Sequence, residues 1–155
     1  MVALPFCHLE FRAKKPLPRA FPRQLATLGD HLRLTRLKSN LKQSEAAAAM
    51  DVDEMTLVGW ELNQHAASVA KIPAIIRFLG YVPEDLFPAR TAGERLRRYR
   101  MLHGLTRRLF AARLGIDEGT LSRFEEGKAR HNRKIRKKIT RFLTSLGQPG
   151  GHDSI

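Results

Sequence analysis

The feature that most constrains this chain is that it contains itself twice. Shifted by 64 residues, the segment 29–80 aligns on 93–144 without a gap, with identical residues at 16 of 52 positions. Self-similarity at such a period means two copies of one supersecondary unit rather than a single larger core. The clearest echo lies between "DVDEMTLVGWELN" (Asp51 to Asn63) and "GIDEGTLSRFEEG" (Gly115 to Gly127). The frame Asp-Glu-x-Thr-Leu, then an aromatic and a Glu, is retained. The middle is not: Arg123 stands where the first copy has Gly59.

Each copy reads as a run of short helices. Gly29 and Gly93 open the first, with Asp30 and Glu94 well placed for the positive end of the helix dipole. Asn40 and Gly104 suit its C-terminal end. An alanine-rich helix follows, "KQSEAAAAM" or "TRRLFAARL", whose small side chains allow close helix approach. After a turn, Asp53 and Asp117 are placed to cap a third helix. Leu57 with Trp60, and Leu121 with Phe124, are three apart and predict its core side. The last helix carries Ile75, Ile76 and Leu79 in one copy and Ile135, Ile139, Phe142 and Leu146 in the other. No stretch has a strand period, so the expected fold is all-α. The expected divisions are an irregular Pro-rich basic arm at 1–28, a first unit at 29–81, a linker at 82–91, a second unit at 92–146 and a tail at 147–155.

Charge narrows the partners. The formal net charge is +13, with +4 on residues 1–80 and +9 on 81–155. Such a balance speaks to association with polyanions and not to fold. Part of it lies on the arm, at Arg12, Lys14, Lys15, Arg19 and Arg23, which reads either as a solvated tail or as an arm that follows a nucleic-acid backbone. The densest basic run is "KARHNRKIRKK" at 128–138. With Cys7 the only cysteine, no intrachain disulfide can form. The apolar start is short and interrupted by Pro5, a poor signal peptide, and no stretch approaches the ~20 apolar residues of a membrane span. A soluble cytoplasmic protein is expected. Enzyme readings find no support: there is no GxxxxGK[ST], no HExxH and no cysteine pair. His8, His31, His65, His103, His131 and His152 lack ligand spacing. No cofactor, metal or small-molecule ligand is expected.

Leu105, Ala111, Gly115, Ile116, Thr120, Leu121, Phe124, Glu125 and Gly127 form a pattern that resembles the Cro/repressor-like (XRE) helix-turn-helix family. The first copy matches through Leu41, Gln43, Ala47, Val52, Thr56, Leu57, Trp60 and Glu61, and departs at Asp51, where a turn glycine is expected. Asp visits the left-handed region more readily than most residues, so the turn survives at some cost. The tandem arrangement is similar to that of bacterial regulators of this family.

The resemblance implies the site. It places the third helix of a unit in the major groove of double-stranded DNA. In the second unit Glu118, Gly119, Ser122 and Arg123 then face bases, and Arg107 and Arg108 face phosphates. In the first unit the base positions are Glu54, Met55, Val58 and Gly59, and Gln43 takes the phosphate position. It further implies structural ion pairs between Arg36 and Glu61 and between Arg100 and Glu125. Beside the recognition helix, Lys128, Arg130, Arg133 and Lys134 of the basic run are expected on phosphates. Two function classes follow. One is a sequence-specific DNA-binding transcriptional regulator. The other is an antitoxin or adaptor-type protein-interaction module, with the first unit as a docking or self-association surface.

Overall fold

The computed structural model describes residues 21–128 and 133–146, and every regular element in that span is helical. The first unit comprises α1 (Leu28–Lys38), α2 (Gln43–Ala49), α3 (Glu54–Glu61) and, after a single 3-10 turn at Val69–Lys71, α4 (Ile72–Leu79). The second comprises α5 (Ala92–Leu102), α6 (Arg107–Leu114), α7 (Glu118–Glu125) and α8 (Arg133–Leu146). Residues 1–20 of the arm, 129–132 of the basic run and the tail at 147–155 lie outside the described residues.

Local chemistry sets the helix ends. Thr27 and Thr91 close capping boxes with Asp30 and Glu94, each hydroxyl accepting from the N–H three residues on while the carboxylate accepts from the threonine N–H. This reciprocal pairing satisfies two orphan donors at once. Asp53 accepts from Thr56 N–H at 2.8 Å, and Asp117 from the N–H groups of Gly119 and Thr120, both at 2.9 Å. The turns ahead of α3 and α7 pass through left-handed residues, Asp51 at φ 53° and Gly115 at φ 61°. In each copy a lysine steadies that turn: Lys71 Nζ donates to the Asp51 carbonyl and Lys138 Nζ to the Gly115 carbonyl.

Each unit has its own core. Leu32, Ala46, Ala47, Met50, Leu57, Trp60, Ile75 and Leu79 form the first. Leu96, Leu105, Phe110, Ala111, Leu121 and Ile139 form the second, joined by an aromatic cluster in which Tyr99, Phe110 and Phe142 have centroids 5.0 to 5.7 Å apart. Ala47 and Ala111 are buried, but the repeated Ala48 and Ala112 are exposed, so only the first of each pair serves close approach. Leu146 departs from its expected core position. It is 44% exposed because α8 runs past the core, and Leu143 packs there instead.

The repeated glycine at the start of each unit has a packing cause. A Cβ on Gly29 would lie 1.9 Å from the Trp60 carbonyl oxygen, and one on Gly93 would lie 2.3 Å from that of Phe124. The first helix of each unit therefore crosses the end of the third at backbone contact, which only glycine permits.

The connection between the units is packed rather than slack. Pro83 and Phe87 are buried, and Phe87 N–H closes a turn on the Pro83 carbonyl. α4 contacts α5, and the left-handed Gly104 sits where a Cβ would lie 3.2 Å from Pro73 Cγ. At the start of the connection Tyr81 and the buried His31 of α1 share a hydrogen bond of 2.8 Å, while His31 Nε2 has no partner among the described residues. Burial pushes the His31 imidazole below its ordinary value, only partly offset by Asp30 and Asp85. The unfolded state then takes up a proton that the native state refuses, so stability is lost as pH falls below about 6.5. Chemical denaturation at pH 7.5 and pH 5.5 should show this loss, and His31→Gln should shrink it. An unchanged pH dependence in the variant would exclude His31 as its source.

Candidate nucleic-acid interface

The third helix of each unit, α3 or α7, is pinned from behind by an ion pair repeated at one spacing. Arg36 donates to both carboxylate oxygens of Glu61, at 2.6 Å from Nε and 2.7 Å from Nη2. Arg100 does the same to Glu125, at 2.6 Å and 2.8 Å. All four residues are buried. The third guanidinium nitrogen is also used, donating to the Leu41 carbonyl at 3.2 Å or the Leu105 carbonyl at 3.1 Å. The Glu61 carboxylate holds the Arg36 guanidinium above its already high ordinary value. Such forked pairing supplies direction as well as charge, and it fixes the end of α3 and α7 against the helix that starts each unit.

The same glutamates anchor the residues expected at phosphate. Gln43 Nε2 donates to Glu61 Oε2 at 3.1 Å, and Arg107 Nε to Glu125 Oε2 at 3.2 Å. Both open the second helix of their unit, where free N–H groups and the helix dipole favour an anion. Only the second unit adds a cation, and the Arg107 side chain remains 40% exposed.

On α7 the expected base positions form an accessible row. Glu118, Gly119 and Arg123 are exposed and Ser122 is half-buried, while Leu121 and Glu125 face inward. Arg123 Nε donates to the Gly119 carbonyl at 3.2 Å, which lays the guanidinium back toward the N-terminal end of the helix. Gly119 has no side chain to obstruct it. Ser122 Oγ donates to Glu126 Oε1 at 3.2 Å, and Glu126 Oε2 pairs with Lys128 at 3.2 Å. Arg108, Lys128, Arg133 and Lys134 are exposed. Arg130 lies outside the described residues.

The first unit differs. Glu54 is exposed, Met55 is 75% exposed and Val58 is half-buried. Gly59 does not stand open at a base-reading surface. It is buried, and a Cβ on it would lie 2.2 Å from His65 Nε2, because the imidazole covers the point where the second unit carries Arg123. Leu62, exposed at 54%, extends the apolar face. His65 was not legible as a cover, since its position is set by the chain after α3 and not by any helical period. The threonine caps Thr27 and Thr91 were also missed, although Thr-x-x-Asp and Thr-x-x-Glu carry their signature.

Two short helices across a tight turn, the second presented to solvent and braced by a third, define a helix-turn-helix unit, here present twice. A family model described as helix-turn-helix matches residues 32–87, and one described as a helix-turn-helix domain matches residues 91–150. The chain is a tandem helix-turn-helix protein of the Cro/repressor-like (XRE) type. These domains support binding to double-stranded DNA. No curated protein and no solved structure matches the chain. Among the described residues no group of His, Cys, Asp or Glu could hold a metal ion, and no helix is long and apolar enough to cross a membrane.

Proposed function

We propose that the chain is a sequence-specific double-stranded DNA-binding transcriptional regulator, with the second unit as its principal reader. The observation that carries this is the two-sided character of α7. Its inner side is locked by Leu121 and by the Glu125–Arg100 pair, while Glu118, Gly119, Ser122 and Arg123 are presented outward. A helix held this way lies in the major groove with its N-terminal residues at base edges. Arg123, laid toward that end, is suited to guanine O6 and N7, the commonest specific contact. Arg107, Arg108, Lys128, Arg133 and Lys134 would take phosphates, which position the protein without specifying sequence. The first unit would enter a neighbouring groove of the same duplex with Glu54, Met55 and Val58. A monomer would then cover about two helical turns, with unlike half-sites.

Arg123→Ala is expected to cost ~1–3 kcal/mol on the preferred site and to relax the choice of one guanine. Lys134→Ala should weaken every sequence alike and lower the salt slope by about one. Selection from a random duplex pool, followed by titration of both variants, checks this. If Arg123→Ala weakens all sequences equally, Arg123 touches phosphate only.

A second reading has its own support in the first unit. With Gly59 beneath His65, Met55 and Leu62 exposed and no cation on the outward side of α3, that surface suits a protein partner or self-association better than a polyanion. On this reading the first unit serves as an antitoxin or adaptor-type docking surface. Footprinting with sedimentation of the complex separates the two: one protected turn favours docking, and two turns under one chain favour tandem reading.

A further inference from the structure

Each unit carries one glycine on the outward side of its third helix, and a nitrogen-bearing side chain lies over each. On α7 that glycine is Gly119. Arg123, one turn further on, lies back along the helix, with Nε on the Gly119 carbonyl at 3.2 Å and Nη2 4.0 Å from the point a Cβ on Gly119 would take. On α3 the order is reversed: Met55 stands at the place of Gly119, and Gly59 at the place of Arg123. The covering side chain there comes from outside the helix. Nε2, Cδ2 and Cε1 of His65 lie 2.2, 2.8 and 2.9 Å from the point a Cβ on Gly59 would take. The imidazole thus fills the room of the side chain that α3 lacks at 59. Glycine weakens a helix interior, but an alanine at 59 would leave the ring no place. Gly59 is buried beneath the ring while His65 itself is exposed, so the imidazole covers backbone without being withdrawn from solvent.

We propose that His65 is a base-reading residue of the first unit, standing in for the side chain missing at Gly59 and donating a ring N–H to the N7 of a purine in the major groove. The inference rests on the tandem reading above, in which the first unit also enters the duplex. An imidazole carries at least one N–H donor in either protonation state. The N7 acceptor is shared by guanine and adenine and absent from both pyrimidines. His65 therefore selects purine over pyrimidine at one position, whereas the forked guanidinium of Arg123 matches O6 and N7 of guanine together. The two units then read unlike bases at matching places of their third helices. The first does so with a residue from the segment that follows α3 rather than from α3 itself.

The test uses the full chain, with selection from a random duplex pool and titration of the selected site and its single-base-pair changes. The parent should favour a purine over a pyrimidine about tenfold at one position, apart from the guanine that depends on Arg123. His65→Ala should erase that preference and leave the preference at the guanine unchanged. Gly59→Ala should erase it at the same base pair, because the new methyl takes the place of a ring that is free to swing away. The helix itself gains from alanine, so this variant stays folded. The two changes combined should do no more than either alone. The proposal is overturned if His65→Ala leaves every base preference as in the parent, if it weakens all sequences by the same factor, or if Gly59→Ala acts at a different base pair. Footprinting of the parent reports separately on the reading beneath it. One protected turn would show the first unit off the duplex and end the tandem reading together with this inference. Two turns with a silent His65→Ala would end this inference alone.

Discussion

Replacing Glu125 with alanine is expected to unfold the second unit and remove its DNA binding. The carboxylate is buried and accepts from Arg100 twice and from Arg107 once. Its loss leaves the Arg100 guanidinium buried with, among the described residues, only the Leu105 carbonyl as hydrogen-bond partner. Breaking a buried pair from one side costs ~3–5 kcal/mol. A unit of this size holds roughly 3–8 kcal/mol in all, so the loss is comparable with the whole. Denaturant unfolding followed by circular dichroism should show part of the helical signal lost before the main transition. The paired replacement Arg100→Met with Glu125→Leu should restore much of the stability, because two apolar side chains leave no orphaned charge. It would not restore binding in full, since Arg107 loses its anchor. A cost below about 1 kcal/mol for Glu125→Ala would place the pair with solvent-exposed bridges and contradict its role as the brace of α7.

Gly93→Ala should destabilise the second unit by about 1–3 kcal/mol, the usual range for overpacking. Two effects of opposite sign compete. Alanine is the better helix former by ~1 kcal/mol, and Gly93 lies in the first turn of α5. Against this, the new Cβ would lie 2.3 Å from the Phe124 carbonyl oxygen and 3.3 Å from that of Glu125. Both are backbone atoms, so no side-chain rotation relieves the clash. Either α5 or the end of α7 must shift, and the Arg100–Glu125 geometry shifts with it. DNA affinity should therefore fall along with stability. Thermal unfolding decides the sign, and a variant more stable than the parent would contradict backbone contact at this crossing. Gly29→Ala, with its Cβ at 1.9 Å from the Trp60 carbonyl, should behave likewise in the first unit.

Much of this architecture was legible because it is local or repeated. Asp53 and Asp117 cap their helices with one short-range bond pattern, and Leu57 and Leu121 are buried where their spacing from the following aromatic places them. Asp51 takes the left-handed turn that Gly115 takes in the other copy, as its short polar side chain allows. What escaped is set by contacts between distant segments. His65 covers Gly59, and no spacing rule links an imidazole to a glycine six residues before it across a chain reversal. The prolines of 82–91 pointed to a linker, yet Pro83 and Phe87 are buried there, a matter of what happens to lie beside them. Leu146 satisfied the helical period and still faces solvent, because periodicity gives direction around a helix and not where the core ends along it. At the site, the residue types of α7 could be read from the repeat. The anchoring of Arg107 on Glu125 could not, since it depends on how α6 leans on α7.

The central claim is that this protein binds double-stranded DNA and chooses among sequences. A mobility-shift titration of the full chain against a set of genomic fragments, at two salt concentrations and with excess unrelated duplex as competitor, tests it most directly. The account predicts that a few fragments remain shifted under competition, while affinity for every fragment falls steeply with salt, the mark of phosphate contacts. Absence of any shift, or equal competition by all fragments at both salt concentrations, would contradict it.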